Sequence, residues 1–349
     1  MQEPQGETPL GPELGGDLDA GQRPSNPYAV DGVTDSAGYP ASVPGQNDSL
    51  PCSAPRRPRI WTTFAIPLIS LVTFFATSML MIVVAFCVVH GELDWRMLAS
   101  SEAMQTVSSS RVGLLLLIIV PQFALVLPSL LAAFLSPVAT GKRLSLVRGH
   151  WPLWAWAAAA VTTPLIGWIS SIIVGSLMQE SENLKMMSDI FRGHGESGFL
   201  IPLALLIGAT PAFCEELLFR GYVQTRLNRS IGPALGIFLS SLLFAVFHMD
   251  WVHVIAVFPL GVYLGIISWR SGSLVPAMLA HFVNNSISVV AVVLGPEEQG
   301  QDPSPELAMF LLAVVSAGFV GAVLTAIAIW RLPTPNPAGQ PATPELATG

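Results

Sequence analysis

Charge is what this chain has least of. Only 11% of its 349 residues are Asp, Glu, Lys or Arg, while 52% are hydrophobic and the mean hydropathy is +0.59. A soluble domain carries about 25% charged residues, so these few cannot cover a water-soluble globule of this length. The composition excludes such a globule and predicts a polytopic membrane protein. A basic excess is missing too: the net charge is −7, and no nucleic-acid partner is expected. Cysteine is scarce. Cys52 lies in a polar tail, and Cys87 and Cys214 lie in apolar runs, which excludes a disulfide framework and makes the latter two small buried hydrophobes. No HExxH, Cys-based metal motif, glycine-rich phosphate loop or internal repeat occurs. The first long apolar run begins near residue 61, so no signal peptide is expected.

What is present is a set of long apolar runs between two polar tails. Residues 1–59 and 332–349 are rich in Pro, Gly and small polar residues. They cannot bury enough surface to offset ordering entropy and are expected to be disordered. Residues 60–331 hold about eight apolar stretches, near 61–89, 112–136, 151–179, 198–220, 231–249, 252–269, 273–294 and 307–330. Each is close to the ~20 residues that span hydrocarbon. None shows the period-2 alternation of a membrane strand, so the expected fold is all-α with about eight transmembrane helices.

With the N-terminus in the cytoplasm and alternating spans, most Lys and Arg residues fall inside, among them Lys142, Arg143, Arg226, Arg229, Arg270 and Arg331. Outside receives Arg96, Arg111, Lys185 and Arg192 and the acidic loop GPEEQGQDPSPE. That asymmetry predicts both termini in the cytoplasm of a multi-pass protein, and a plasma membrane is the expected location. The segments GPALG (232–236) and GVYLG (261–265) place small residues four apart, as close helix approach requires. Trp151, Trp154 and Trp156 are expected to form an aromatic belt at an interface.

Ionisable groups within a span are costly unless paired or wetted. Here they concentrate between residues 215 and 285, in EELLFR (Glu215, Glu216, Arg220), FAVFH (Phe244, His248) and HFVNN (His281, Asn285). Glu216 and Arg220 are four apart, share a helix face and can pair. Glu215 is turned about 100° away and is the freer carboxylate, able to act as a base. Asn285, one turn from His281, can orient the imidazole or offer its amide to an oxyanion. Taken singly, these residues read as a buried ion pair, interfacial histidines and interhelical glue. Together they supply a base for water, a polariser for a carbonyl and an oxyanion donor, as amide hydrolysis needs. His and carboxylate are also zinc-type ligands. Asp250 and His253 in HMDWVH could extend the site, but read first as a polar turn between helices.

In this order and on successive membrane helices, EExxxR, FxxxH and HxxxN resemble the CAAX protease and bacteriocin-processing (Abi, type II CAAX prenyl endopeptidase) family of intramembrane proteases. The resemblance covers roughly residues 198–294. It implies an all-helical membrane protease with a polar intramembrane cavity. In it Glu215 looks like the base that activates water, Glu216 and Arg220 its supporting pair, His248 and His281 the catalytic histidines, and Asn285 the oxyanion or orienting residue. It further implies a divalent metal such as zinc, with His248, His281 and Glu215 as ligands, or a glutamate-dependent mechanism without metal. The partners implied are a peptide or membrane-protein substrate and the lipid bilayer. The rivals are a non-catalytic membrane scaffold or bacteriocin-immunity protein, and a transporter with an intramembrane relay. One expectation conflicts with the motifs: alternating spans put His281 and His248 at depths more than ~10 Å apart.

Overall fold

The computed structural model describes residues 60–295 and 304–334. The readings made for residues 1–59 and for the tail beyond 334, Cys52, and most of the acidic loop lie outside that range. The described residues are helical, without strands. In chain order the helices are α1 (Thr62–His90), α2 (Trp95–Leu98), α3 (Ser101–Ser109), α4 (Arg111–Phe134), α5 (Thr140–Arg143), α6 (Leu153–Leu177) and α7 (Glu182–His194). Then follow α8 (Leu200–Glu216), α9 (Thr225–Ile231), α10 (Pro233–Val246), α11 (Trp251–Ser271), α12 (Val275–Leu294) and α13 (Pro305–Arg331). A kink at Gly198 (φ 77°) separates α7 from α8, and a π-helical segment, Leu217–Gln224, follows α8.

Among the described residues, seven helical stretches are long and apolar enough to cross a membrane, and the chain is a multi-pass membrane protein. All eight predicted apolar runs are helical, but the fifth, α10, has 14 residues and falls short of a span. Fully apolar side chains such as Ile172 (70% exposed) and Leu177 (78% exposed) face outward, where lipid rather than water suits them. Polar caps fix several helix starts. Ser100, Ser110, Ser181 and Ser304 each accept a backbone N–H from the first turn of α3, α4, α7 and α13, satisfying donors that a helix leaves open. Neither α3 nor α7 follows from the apolar runs, because both are short and amphipathic with polar faces.

In the bundle α1 packs on α4, α6 on α13, and α12 against α6, α8 and α11, with α10 on α11. The loop between α5 and α6 folds into one end of it. There His150 N–H donates to the Ser271 carbonyl (3.1 Å) and Leu274 N–H to the Ser145 carbonyl (2.8 Å). Leu274 is fully buried, and its side chain would lie 3.3 Å from a Cβ on Gly221. Helix α12 therefore begins level with Gly221, ten residues or about 15 Å short of the end of α9 at Ile231.

The tryptophan expectation is corrected. Trp151 is fully buried in a cluster with Ala155, Ala159, Ile267 and Ala328, because just before α6 it packs against side chains of α6, α11 and α13. Trp154 is 45% exposed, and Arg148 stacks over the Trp156 ring at 4.6 Å.

Candidate active site

The first motif bridges the end of α8 and the π segment that follows. Single π turns often occur at functional sites. Here the wider turn still leaves Glu216 and Arg220 paired, with Arg220 Nη1 donating to Glu216 Oε1 at 2.7 Å. Both side chains are fully buried. Arg220 Nη2 donates to the Gly261 carbonyl (3.0 Å), and its guanidinium lies 4.2 Å over the Phe244 ring. Glycine at 261 is what permits this approach: a Cβ there would sit 3.0 Å from the Phe244 ring and 3.4 Å from Arg220 Nη2. Four residues on, Gln224 Nε2 donates to the Gly265 carbonyl (2.9 Å), and a Cβ on Gly265 would meet Gln224 Oε1 at 2.8 Å. GVYLG thus brings α11 close, as its spacing predicts, and also exposes two backbone carbonyls to the side chains of Arg220 and Gln224.

The third motif joins the first. His281 is 3% exposed, and its Nδ1 lies 3.0 Å from Glu216 Oε1. A carboxylate that already accepts from arginine accepts here too, so Nδ1 carries the hydrogen and Nε2 faces away from Glu216. Asn285, one turn along α12, donates from Nδ2 to the Ile207 carbonyl at 3.5 Å and accepts at Oδ1 from Asn284 Nδ2 (3.1 Å).

The depth conflict resolves through α10 and α12. Because α10 stops at Val246 and α12 starts deep, the Phe244 ring touches both histidines, at 5.1 Å from His248 and 5.8 Å from His281 between centroids. His248 lies past the helix end, and its Nδ1 donates to the Phe244 carbonyl (3.0 Å). Its ring stacks at 4.7 Å on that of His253. Asp250 caps α11 by accepting from the His253 N–H (3.0 Å). The Ser181 hydroxyl and then that backbone donor hold the Asp250 carboxyl below the usual carboxylate range. Because Ser181 also accepts from the Leu184 N–H, the turn after His248 is tied to the cap of α7.

Glu215 stands apart from its neighbour, as the helical spacing predicts. Its Oε1 accepts from Gln122 Nε2 on α4 (3.1 Å), while Oε2 is buried without a hydrogen-bond partner. Sequence reasoning passed over Gln122 and Gln224. The signal was available for Gln122, an amide alone in the run VGLLLLIIVPQFALVLPS, where a polar group needs a partner.

The predicted metal ligands are not gathered. Among the described residues no three His, Cys, Asp or Glu side chains are grouped so that they could hold a metal ion. The Nδ1 atoms of His248 and His281 are held by the Phe244 carbonyl and Glu216, which leaves Nε2 as the ring atom of each that a ligand could meet, while Glu215 Oε1 turns toward α4. A cavity of about 960 Å³ opens between the ends of α6, α7, α11 and α12, lined among others by Trp168, Met178, Leu184 and Val292. The motif residues do not line it, but His253, stacked on His248, forms part of its wall.

A family model for type II CAAX prenyl endopeptidases, Rce1-like, matches residues 197–287. A Bacillus subtilis (strain 168) protein, uncharacterized protein YpbD, is 32% identical over 91 residues, which are 25% of this chain and 44% of that protein. The match thus spans less than half of that relative's length. No solved structure matches the chain. All three motifs fall within the matched segment, so residues 197–287 are similar to the Rce1-like type II CAAX prenyl endopeptidase domain.

Proposed function

We propose that this protein is an intramembrane endopeptidase in which Glu215 activates the attacking water. The observation that carries this reading is the asymmetry of the Glu215 carboxylate. Oε1 is held by Gln122, and Oε2 is buried without a partner. A carboxylate oxygen in that state is a ready acceptor for a proton from water.

In the proposed reaction Glu215 Oε2 takes a proton from water, and the oxygen adds to the scissile carbonyl carbon. Asn285 Nδ2, whose bond to Ile207 is long, donates its other hydrogen to the oxyanion. The C–N bond then breaks, and the proton held by Glu215 passes to the leaving amine. Glu216 steadies the charge of His281 and fixes its tautomer, so that Nε2 can act on the carbonyl or the amine. His248, with Nδ1 tied to the Phe244 carbonyl, presents Nε2 in the same way. These steps are written on the chain's own residues, with no three-ligand group among the described residues. The cavity walled by His253 is the proposed approach for a peptide or membrane-protein substrate. Lys and Arg asymmetry supports both termini in the cytoplasm and a plasma-membrane location.

The test compares new peptide N-termini in membranes from two otherwise identical strains, one with the wild type and one with Glu215→Ala at matched expression. Products found only with the wild type support the endopeptidase and name its substrates. Identical maps across growth conditions sink it in favour of a non-catalytic scaffold or immunity role.

A further inference from the structure

At the end of the bundle that carries α5 and α9, three arginines gather without a counter-charge among the described residues. Arg226 is 2% exposed. Its Nη1 donates to the Tyr222 carbonyl (2.8 Å), its guanidinium lies 3.2 Å over the Tyr222 ring, and its Nε is buried with no partner. Arg229 follows one turn later and is exposed. Arg143, at the end of α5, is half-buried, and its Nε is likewise buried without a partner. Its neighbour Leu144 packs against the π segment, with the Leu144 carbonyl 3.1 Å from the position of a Cβ on Gly221. Arg143 is thereby within electrostatic reach of Arg226, Arg229 and Tyr222. The ion pairs among the described residues use Lys185, Arg192, Arg220 and His281 as cations, and none of these three.

Three guanidinium groups held this close repel one another, and a desolvated one is costly without an anion. Burial and the charge of Arg229 together lower the pKa of Arg143, the expected sign for a cation set among cations. Arginine forks suit phosphate oxygens, which accept two parallel N–H bonds. We infer that Arg143, Arg226 and Arg229 form a binding site for a phosphate group, carried by an anionic phospholipid or free in solution. Two features give the site more than surface charge. Arg226 is anchored to Tyr222, two residues from Arg220, and Leu144 is wedged at Gly221. A bound phosphate would therefore clamp α5 to the π segment that carries the first motif.

The inference does not depend on peptide cleavage, and neither does its test. Native mass spectrometry of the purified chain in mixed micelles of phosphatidylglycerol and phosphatidylcholine would compare the wild type, Arg143→Gln/Arg229→Gln, and Arg331→Gln. The last removes an exposed arginine of α13 outside the cluster. The wild type and Arg331→Gln should retain phosphatidylglycerol selectively, and the double variant should lose roughly tenfold of that retention. A second arm adds millimolar inorganic phosphate to the wild type, in phosphatidylcholine nanodiscs for melting and in the mixed micelles for lipid retention. Thermal stabilisation, with or without displacement of the retained lipid, assigns the site to a soluble phosphate. Where the wild type retains the anionic lipid selectively, no stabilisation by phosphate assigns the site to the lipid. If the double variant melts well below the wild type in neutral detergent, Arg229→Gln alone replaces it, because that side chain is exposed. Equal retention by the wild type and the arginine variant, or no preference for the anionic lipid together with no effect of phosphate, overturns the inference.

Discussion

Two glycine-lined contacts in this bundle look alike in sequence and do different work. On α13, Gly318 and Gly321 face α6, where a Cβ would sit 2.8 Å from Leu165 Cβ and 2.6 Å from a Val161 methyl. The neighbouring polar contact there is a pair of hydroxyls, Thr162 and Thr325, at 3.4 Å. On α11, Gly261 and Gly265 face the π segment, and what comes close is the guanidinium of Arg220 and the amide of Gln224, each on a glycine carbonyl. The first contact lets two backbones approach, as small residues do in membranes. The second opens a backbone so that buried polar side chains find acceptors they would otherwise lack.

The comparison breaks most sharply at the two adjacent glutamates. Glu215→Gln should lower peptide cleavage by on the order of 10²–10⁴-fold, the usual worth of a general base. The melting temperature in detergent should stay near that of the wild type, because Glu215 pairs with no buried cation. Cleavage at the wild-type rate would remove Glu215 from the mechanism. Glu216→Ala should do the reverse first. It strands Arg220 and should cost about 3–5 kcal/mol of stability, read as a large drop in melting temperature before any assay of activity. Wild-type melting in that variant would count against the ion pair.

The glycines sharpen the contrast. Gly261→Ala and Gly321→Ala each crowd a packed contact and should cost about 1–3 kcal/mol. Only the α11 change should also reduce cleavage per folded molecule, since it displaces Arg220 and Phe244. Equal specific activities after correction for the folded fraction would erase the distinction drawn here.

The smallest effect concerns Asp250. Its carboxyl has a folded pKa below the unfolded value of about 3.9, so its contribution to stability is full above that value. It is lost as pH falls through the folded pKa. Asp250→Asn should therefore make the acid limb of a melting-temperature profile shallower below pH ~4, with little change at neutral pH. Parallel profiles would show that the Ser181–Asp250 tie contributes nothing.

Much of this was legible in the amino acids. Long apolar runs leave helices as the structure that satisfies every backbone group in lipid, and each run is helical. The Glu216–Arg220 pair follows from i,i+4 spacing alone. The link from His281 to Glu216 crosses 65 positions and depends on where α12 starts. That in turn depends on the α5–α6 loop folding inward, where Ser145 accepts from Leu274 and His150 donates to Ser271, which no apolar period records. The π turn after Glu216 escapes a 3.6-residue template, and Gln122 escapes because a single amide has no periodicity. The three residues suggested as metal ligands by residue type form no three-ligand group among the described residues, because they lie on α8, past the end of α10 and on α12, whose relative placement residue type does not record.

The shortness of α10 has a consequence for the lipid itself. Fourteen residues rise about 21 Å, against a hydrocarbon thickness of about 30 Å. Leu235, Phe238, Leu242 and Val246 form its exposed outer face. Acyl chains lining that face meet a hydrophobic column too short for them, and the bilayer relieves such mismatch by thinning. The short column ends at Val246, two residues before His248, and thinning there would bring the headgroup boundary, with its water, toward the residues proposed to use it.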